Sequence, residues 1–285
     1  MTVLVTGANG TLGQEVLRIL KDRTVPHTGM TRQDLDVTDF GAVVAAVEKV
    51  RPHAVIHCAA YTKTDEAEAR ADLAYAVNAY GTRNVAVASA QLGSKFVYVS
   101  TDYVFDGAKG SPYHEFDPVN PLNTYGKSKL AGEQMAKTYC PQSFIVRTSW
   151  LYGGSGNHFL RKIFQWTQQN QELRVVRDEI GSPTYARDLA GFLIDLVETE
   201  KFGVYHACNR GTCSRYELAC QAFAVAGIQA HVTAIQIKDL SLPTRRPMCS
   251  PLDDMAIRLN GFPPFRPWQD ALREFITQYG SSLMA

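Results

Sequence analysis

The sequence has no uninterrupted apolar stretch of the roughly 18 residues that a membrane-crossing helix needs. It also has no basic, apolar leader ahead of its first hydrophobic run, Val3-Leu4-Val5. Neither a membrane span nor a signal peptide is expected, and the expected location is the cytoplasm. Charge of one sign is lacking too: 29 Lys and Arg stand against 28 Asp and Glu. That balance leaves no electrostatic footprint for nucleic acid or for a membrane surface. Cysteine is sparse, and the six, at positions 58, 140, 208, 213, 220 and 249, form no Cys-x-x-Cys and no metal-ligand spacing. They read as small buried thiols in a reducing compartment, and no metal site is expected from them. No internal repeat and no clean linker divides the chain. What is present is ordinary for a globular protein: 285 residues, 45% hydrophobic and 20% charged, enough for one large α/β domain or two smaller ones.

Short apolar runs recur at Val3 to Val5, Ala54 to His57, Phe96 to Ser100 and Phe144 to Val146. Helical patterns lie between them, at Leu12 to Leu20, Phe40 to Val50, Leu73 to Leu92 and Tyr125 to Tyr139. Strands that are apolar throughout, separated by helix-length segments, predict a parallel sheet covered on both faces, the doubly wound α/β (Rossmann) architecture. The dinucleotide-binding part is expected to span 1–150. Beyond Trp150 the regularity loosens. Gly153-Gly154-Ser155-Gly156 reads as a flexible loop, followed by a helix from Phe159 to Thr167, a strand at Val204 to Ala207 and a helix near Tyr216 to Ala226. An irregular, proline-rich stretch runs from Leu240 to Pro267, and a helix from Trp268 to Tyr279 follows it. Residues 151–285 are therefore expected to form mainly a smaller substrate lobe, interleaved with the sheet. The proline-rich loops would be either plain connections or a substrate wall.

Val3-Leu4-Val5 runs into Thr6-Gly7-Ala8-Asn9-Gly10-Thr11-Leu12-Gly13, and a helix follows. Strand, tight turn and helix start are the context a dinucleotide loop requires. Gly7 permits the turn, Gly10 lets backbone approach a pyrophosphate, and Gly13 allows the helix to pack closely. Free amides at the helix start receive the negative charge. Asn9, Thr11 and Leu12 belong to the same loop. A second strand is expected near Pro26 to Met30, ending in Thr31-Arg32 with no acidic residue to bond an adenosine ribose. Arg32 suits a 2′-phosphate, so NADPH is preferred; Asp34 and Asp36 close by leave NADH open. Asp36-Val37 is expected to meet the adenine, and Ala59-Ala60-Tyr61 to pass beside the cofactor.

Tyr125 and Lys129 stand four residues apart, on one face of a helix. They follow a strand that ends in Ser100-Thr101-Asp102-Tyr103, the carboxyl edge where open α/β sheets bind ligands. A ketone accepting hydride needs a proton for its developing alkoxide. A tyrosine of ordinary pKa about 10 is made more reactive by a nearby lysine cation, which is expected to lower that value. Lys129 would also hold the nicotinamide ribose, and Thr101 would orient the carbonyl oxygen. Thr101, Tyr125 and Lys129 are the expected catalytic residues.

These motifs resemble the extended short-chain dehydrogenase/reductases and, within them, the dTDP-4-dehydrorhamnose reductases. The likeness also runs through Ala59-Ala60-Tyr61-Thr62, Thr101-Asp102-Tyr103-Val104-Phe105-Asp106-Gly107, Arg147-Thr148-Ser149-Trp150-Leu151-Tyr152-Gly153, Gly181-Ser182-Pro183-Thr184 and Arg246-Pro247. It implies NAD(P)H-dependent reduction of the 4-keto group of a dTDP-linked 6-deoxy sugar, yielding dTDP-L-rhamnose. Substrate-contacting positions would fall on Thr101, Asp102, Tyr103, Tyr125 and Trp150. Related dehydratases carry Thr-Asp-Glu at this strand end; Tyr103 in the glutamate's place argues for simple reduction. Three departures stand out: Thr64 where the family has valine, Ser214-Arg215-Tyr216 where it has Ser-Trp-Tyr, and Arg187 opposite Glu15. In some members Glu15's counterpart helps hold a dimer-bridging magnesium, and Arg187 argues against that metal here. A homodimer is allowed. Two alternatives stay open, a non-catalytic NADP-binding regulatory subunit similar to the beta subunit of methionine adenosyltransferase, and a nucleotide-sugar reductase or epimerase acting on another sugar.

Overall fold

The computed structural model describes residues 1–154, 156–168 and 172–283; Ser155, in the expected glycine-rich loop, lies outside the described residues. The chain opens with β1 (Val3–Thr6), α1 (Thr11–Asp22), β2 (His27–Met30), α2 (Phe40–Val50) and β3 (Ala54–His57). Every residue of β1 and β3 is buried, as continuous apolar runs require when helices cover both faces. Two short helices follow, α3 (Thr64–Ala69) and α4 (Ala71–Tyr75), then a π-helical turn (Ala76–Gly81) and α5 (Thr82–Gln91). β4 (Lys95–Thr101), α6 (Thr124–Tyr139) and β5 (Ser143–Thr148) complete the first half. The side chain of Asn123 accepts from the amide of Gly126 at 2.8 Å, which fixes where α6 begins, one residue before Tyr125.

The single helix expected from Leu73 to Leu92 is instead interrupted by the π turn. The cause is Asn78, whose carbonyl is taken by the hydroxyls of Thr82 (2.7 Å) and Tyr98 (3.2 Å). An inserted residue of this kind commonly marks a functional site.

Past Trp150 the chain forms β6 (Leu151–Tyr152), α7 (Phe159–Gln168), β7 (Leu173–Val176), β8 (Ile180–Gly181) and β9 (Thr184–Tyr185). Next come α8 (Ala186–Val197), β10 (Gly203–His206), β11 (Cys213–Ser214), α9 (Arg215–Ala226) and β12 (Val232–Ile235). The stretch beyond residue 240 is irregular apart from α10 (Met255–Leu259), and α11 (Trp268–Leu283) follows. α8 was not anticipated. Its sequence, Ala-Arg-Asp-Leu-Ala-Gly-Phe-Leu-Ile-Asp-Leu-Val, does carry a helical period, with Leu189, Ala190, Leu193, Leu196 and Val197 buried and Asp188, Gly191 and Asp195 on the less buried side.

Among the described residues the main sheet has six parallel strands in the order β10-β5-β4-β3-β1-β2. The direction of winding reverses between β1 and β3, and ligands of such sheets bind at that switch point, outside the carboxyl ends. One apolar core lies between the sheet and α1 and α8, and a second lies between the sheet and α2, α5 and α6. A third core belongs to the lobe and joins α7, α9 and α11. No helix among the described residues is long and apolar enough to cross a membrane.

Candidate active site

The carboxyl ends of β1, β3, β4 and β5 open onto a cleft of about 550 Å3. One end of the cleft is the loop from Asn9 to Gly13, and the other holds Thr101, Asp102, Tyr125, Lys129 and Trp150; Ala60 lies along its side. Gly7 makes the turn with φ +66°, and a Cβ there would stand 2.6 Å from the amide nitrogen of Ala59. A Cβ on Gly13 would stand 2.3 Å from the Gly7 carbonyl oxygen. Only glycine fits either position. Gly10 is the N-cap of α1 and supplies no side-chain cap, so the first amides of the helix, which line the cleft, have no side-chain cap among the described residues. This cradle suits a pyrophosphate.

The other expected cofactor residues are distributed unevenly. Arg32 is exposed past the end of β2, and the carboxylates near it are committed elsewhere. Asp34 accepts from the amide and hydroxyl of Thr31 (2.9 and 2.7 Å), and Asp36 accepts from those of Thr38 (2.9 and 2.7 Å). Val37 faces the core under α2 and α5 rather than the cleft. Tyr61 is tied through both backbone groups to the Asn78 side chain (2.8 and 3.0 Å), outside the cleft lining.

Thr101 ends β4 with its hydroxyl donating to Asp102 Oδ1 (3.1 Å) and accepting from the Tyr103 amide (3.2 Å), and it lines the cleft beside Tyr125. Tyr103 lies edge-on to Tyr125, ring centres 5.7 Å apart. Asp102 Oδ2 accepts from Ser250 at 2.7 Å, and burial pushes its carboxyl up to about 6. The electrostatics of the tyrosine differ from the expectation. Burial pushes the Tyr125 phenol up to about 12 instead of lowering it. Lys129 does not offset this, because its ammonium donates to the Val99 carbonyl (2.6 Å) and sits 4.1 Å from the centre of the Tyr98 ring. Burial brings Lys129 itself down to about 7, partly countered by Glu133 one turn further along α6. Glu133 is neutralised by two parallel bonds from Arg147 (2.9 and 2.8 Å).

Asn78, Tyr98 and Glu133 were not singled out from the sequence, and no spacing marks them. Neither was a second cleft of about 390 Å3, which shares Trp150, Leu151, Asn157 and His158 with the first. Arg174, Arg215 and Arg246 line it, with the carboxylate of Glu179. Leu240 and Leu242 line it too, so part of the proline-rich stretch forms a wall of this cleft. Arg246 sits in a segment already carrying the family likeness, and Arg215 at one of its departures; Arg174 had no signal. Glu15, on α1, accepts from the Tyr279 hydroxyl (3.1 Å), and Arg187 pairs with Glu274 (3.4 Å).

Residues 1–281 match the family model described as RmlD substrate binding domain. A dTDP-4-dehydrorhamnose reductase of Streptomyces griseus is 40% identical, over 95% of this chain and 91% of that protein. A dTDP-4-keto-6-deoxy-D-glucose reductase of Streptomyces niveus is 38% identical, over 95% of each. The crystal structure of a dTDP-4-dehydrorhamnose reductase from Bacillus anthracis in complex with NADP superposes with a TM-score of 0.95 at 42% identity, covering 97% of this chain and 99% of that one.

Proposed function

Because the chain belongs to the RmlD substrate binding domain family, we propose that it is an NADPH-dependent reductase of a nucleotide-linked 4-keto-6-deoxy sugar, converting dTDP-4-dehydrorhamnose to dTDP-L-rhamnose. The observation that carries the reading is a neutral tyrosine hydroxyl that lines, with Thr101, the same cleft as the open amides of α1. The cofactor's fit rests on those amides and on Gly7, Gly10 and Gly13, with Arg32 at the strand end to meet a 2′-phosphate.

A reduced nicotinamide supplies the hydride. The chain's own residues orient and protonate. Thr101 holds the carbonyl oxygen, and Tyr125 Oη–H delivers its proton there as negative charge develops. A phenol at about 12 is in its acid form at neutral pH, the form that reduction in this direction consumes. Lys129, braced on the Val99 carbonyl, holds the ribose beside the tyrosine. Arg174 and Arg246 of the second cleft suit the diphosphate of the nucleotide sugar. The reading places the protein in the cytoplasm, in keeping with six unpaired cysteines.

The test is NADPH consumption with dTDP-4-dehydrorhamnose, with the product identified. Tight NADPH binding without turnover on a panel of nucleotide-linked 4-keto sugars would favour the regulatory-subunit reading instead. Turnover of a different sugar on that panel would revise the substrate alone.

A further inference from the structure

Trp150 has φ +47°, a left-handed backbone conformation that a bulky residue keeps only where its surroundings impose it. A Cβ built on Gly181 would stand 2.5, 2.7 and 2.8 Å from Cε2, Cζ2 and Nε1 of the indole. Near-equal distances to three bonded ring atoms put Gly181 over the ring's face, not at its edge. The guanidinium carbon of Arg215 lies 3.6 Å from the ring centre. Two groups at such heights cannot share one face, so glycine and arginine cover opposite faces of the indole. Arg215 is itself braced: Nε and Nη2 both donate to Glu179 Oε1 at 3.3 Å, with side-chain exposures of 16% for the arginine and 5% for the glutamate. The antiparallel pairing of β8 with β11 sets Gly181 opposite Cys213 and Ile180 opposite Ser214, which brings Glu179, Gly181 and Arg215 to the same ring.

We propose that Arg215 is a positioning residue that clamps Trp150 against Gly181 and so sets the width of the opening between the two clefts, where the sugar of the substrate must pass to reach Tyr125. The clamp stands on geometry alone; its effect on the sugar rests on the reductase reading. With both faces covered, the indole meets a sugar with its edge and fixes the shape of the wall. It does not serve as a stacking platform. Arginine suits this task because its planar cation stacks on the ring while the same fork reaches the carboxylate.

The experiment compares Arg215→Leu, Arg215→Lys and Gly181→Ala with the native protein, using Trp150→Phe to define the near-ultraviolet dichroism of Trp150. Arg215→Leu and Gly181→Ala, which attack the ring from opposite sides, are expected to lose that band while far-ultraviolet dichroism is kept. Arg215→Lys is expected to retain part of it. For the nucleotide sugar, KM should rise about tenfold in Arg215→Leu, with kcat and the NADPH dissociation constant within about twofold; lysine should restore part of the loss. Arg215→Gln replaces the leucine variant if the latter does not fold. A Trp150 band unchanged without the guanidinium overturns the clamp, and a lost band with KM unchanged overturns its role in sugar binding. Absence of turnover in the native protein would defeat the reductase reading instead, while the dichroism still decides the clamp.

Discussion

A phenol and an ammonium one helical turn apart do not automatically help each other; what surrounds each decides. Tyr125 and Lys129 share a face of α6, yet the lysine's charge is spent on the Val99 carbonyl and the Tyr98 ring. The tyrosine therefore stays in its acid form at neutral pH, which on the proposed reading suits it to donate a proton. Tyr125→Phe removes the hydroxyl that carries that proton and is expected to lower kcat/KM by about 100-fold or more while NADPH affinity stays within about twofold. Steady-state kinetics beside a binding titration would check it; a phenylalanine variant of full activity would refute the mechanism. Lys129 carries a second consequence, for stability. Its folded pKa is depressed from the ordinary 10.5 to about 7. Below about 7 it is charged in both states and the folded protein bears the whole penalty of burying it. Between 7 and 10.5 the unfolded chain binds more protons, so stability rises with pH, and above that range the penalty is gone. Lys129→Met should therefore be inactive yet more heat-stable than the native protein, with a gap in Tm largest near pH 7 and closing towards pH 10. Melting curves across that range test it, and a variant less stable at pH 7 would sink the argument. The pair itself was legible from its spacing and from the strand before it. The direction of the tyrosine's shift was not, because Val99 and Tyr98 reach the lysine from another strand.

At the scale of elements, the legible parts were those with one strong period or one tight motif: β1, the glycine turn, α1, α2, β3 and α6. The π turn was not legible, since Asn78 looks like any polar residue within a helical run. Its side chain is what ties the site together, with Oδ1 accepting from the Tyr61 amide and Nδ2 donating to the Tyr61 carbonyl and to Ser128, the neighbour of Lys129. Asn78→Ala would leave Ser128 and two backbone groups of Tyr61 without these partners. A loss of about 2–3 kcal/mol in urea unfolding is expected, at the usual cost of stranded buried polar groups. A fall in kcat larger than the change in KM should accompany it, because the turn positions α6 and not the substrate. A stability loss under about 1 kcal/mol would show that water or a neighbour replaces the amide.

For the whole molecule, the division into 1–150 and a lobe of 151–285 interleaved with the sheet was expected from where the regular strand–helix alternation loosens, and what remained to be found was which segments return. After β9 the chain returns to the sheet as α8 and β10, leaves for α9, and comes back at Ser250 to bond Asp102 (2.7 Å). α11, in the lobe core, reaches α1 through Tyr279, which donates to Glu15 (3.1 Å) and accepts from Arg18 (2.7 Å). Arg266 donates to Asp188 of α8 (2.8 Å twice) and to Glu274 of α11 (2.6 Å). That the lobe is interleaved was expected, but the particular returns could not be read from periodicity, which describes an element and not its destination. Their consequence is that neither part can open without breaking the links that hold the other, so unfolding should be one transition despite the chain's length. The three tryptophans allow a clean test. Trp268 is in the lobe core, Trp150 packs against it and Trp166 lies on α7, so fluorescence reports the lobe, while far-ultraviolet dichroism reports helices of both parts. In urea the two signals are expected to share a midpoint, and Arg266→Ala should move both together. A fluorescence midpoint clearly below the dichroism midpoint would mean that the lobe melts first and that the two parts are separate folding units after all.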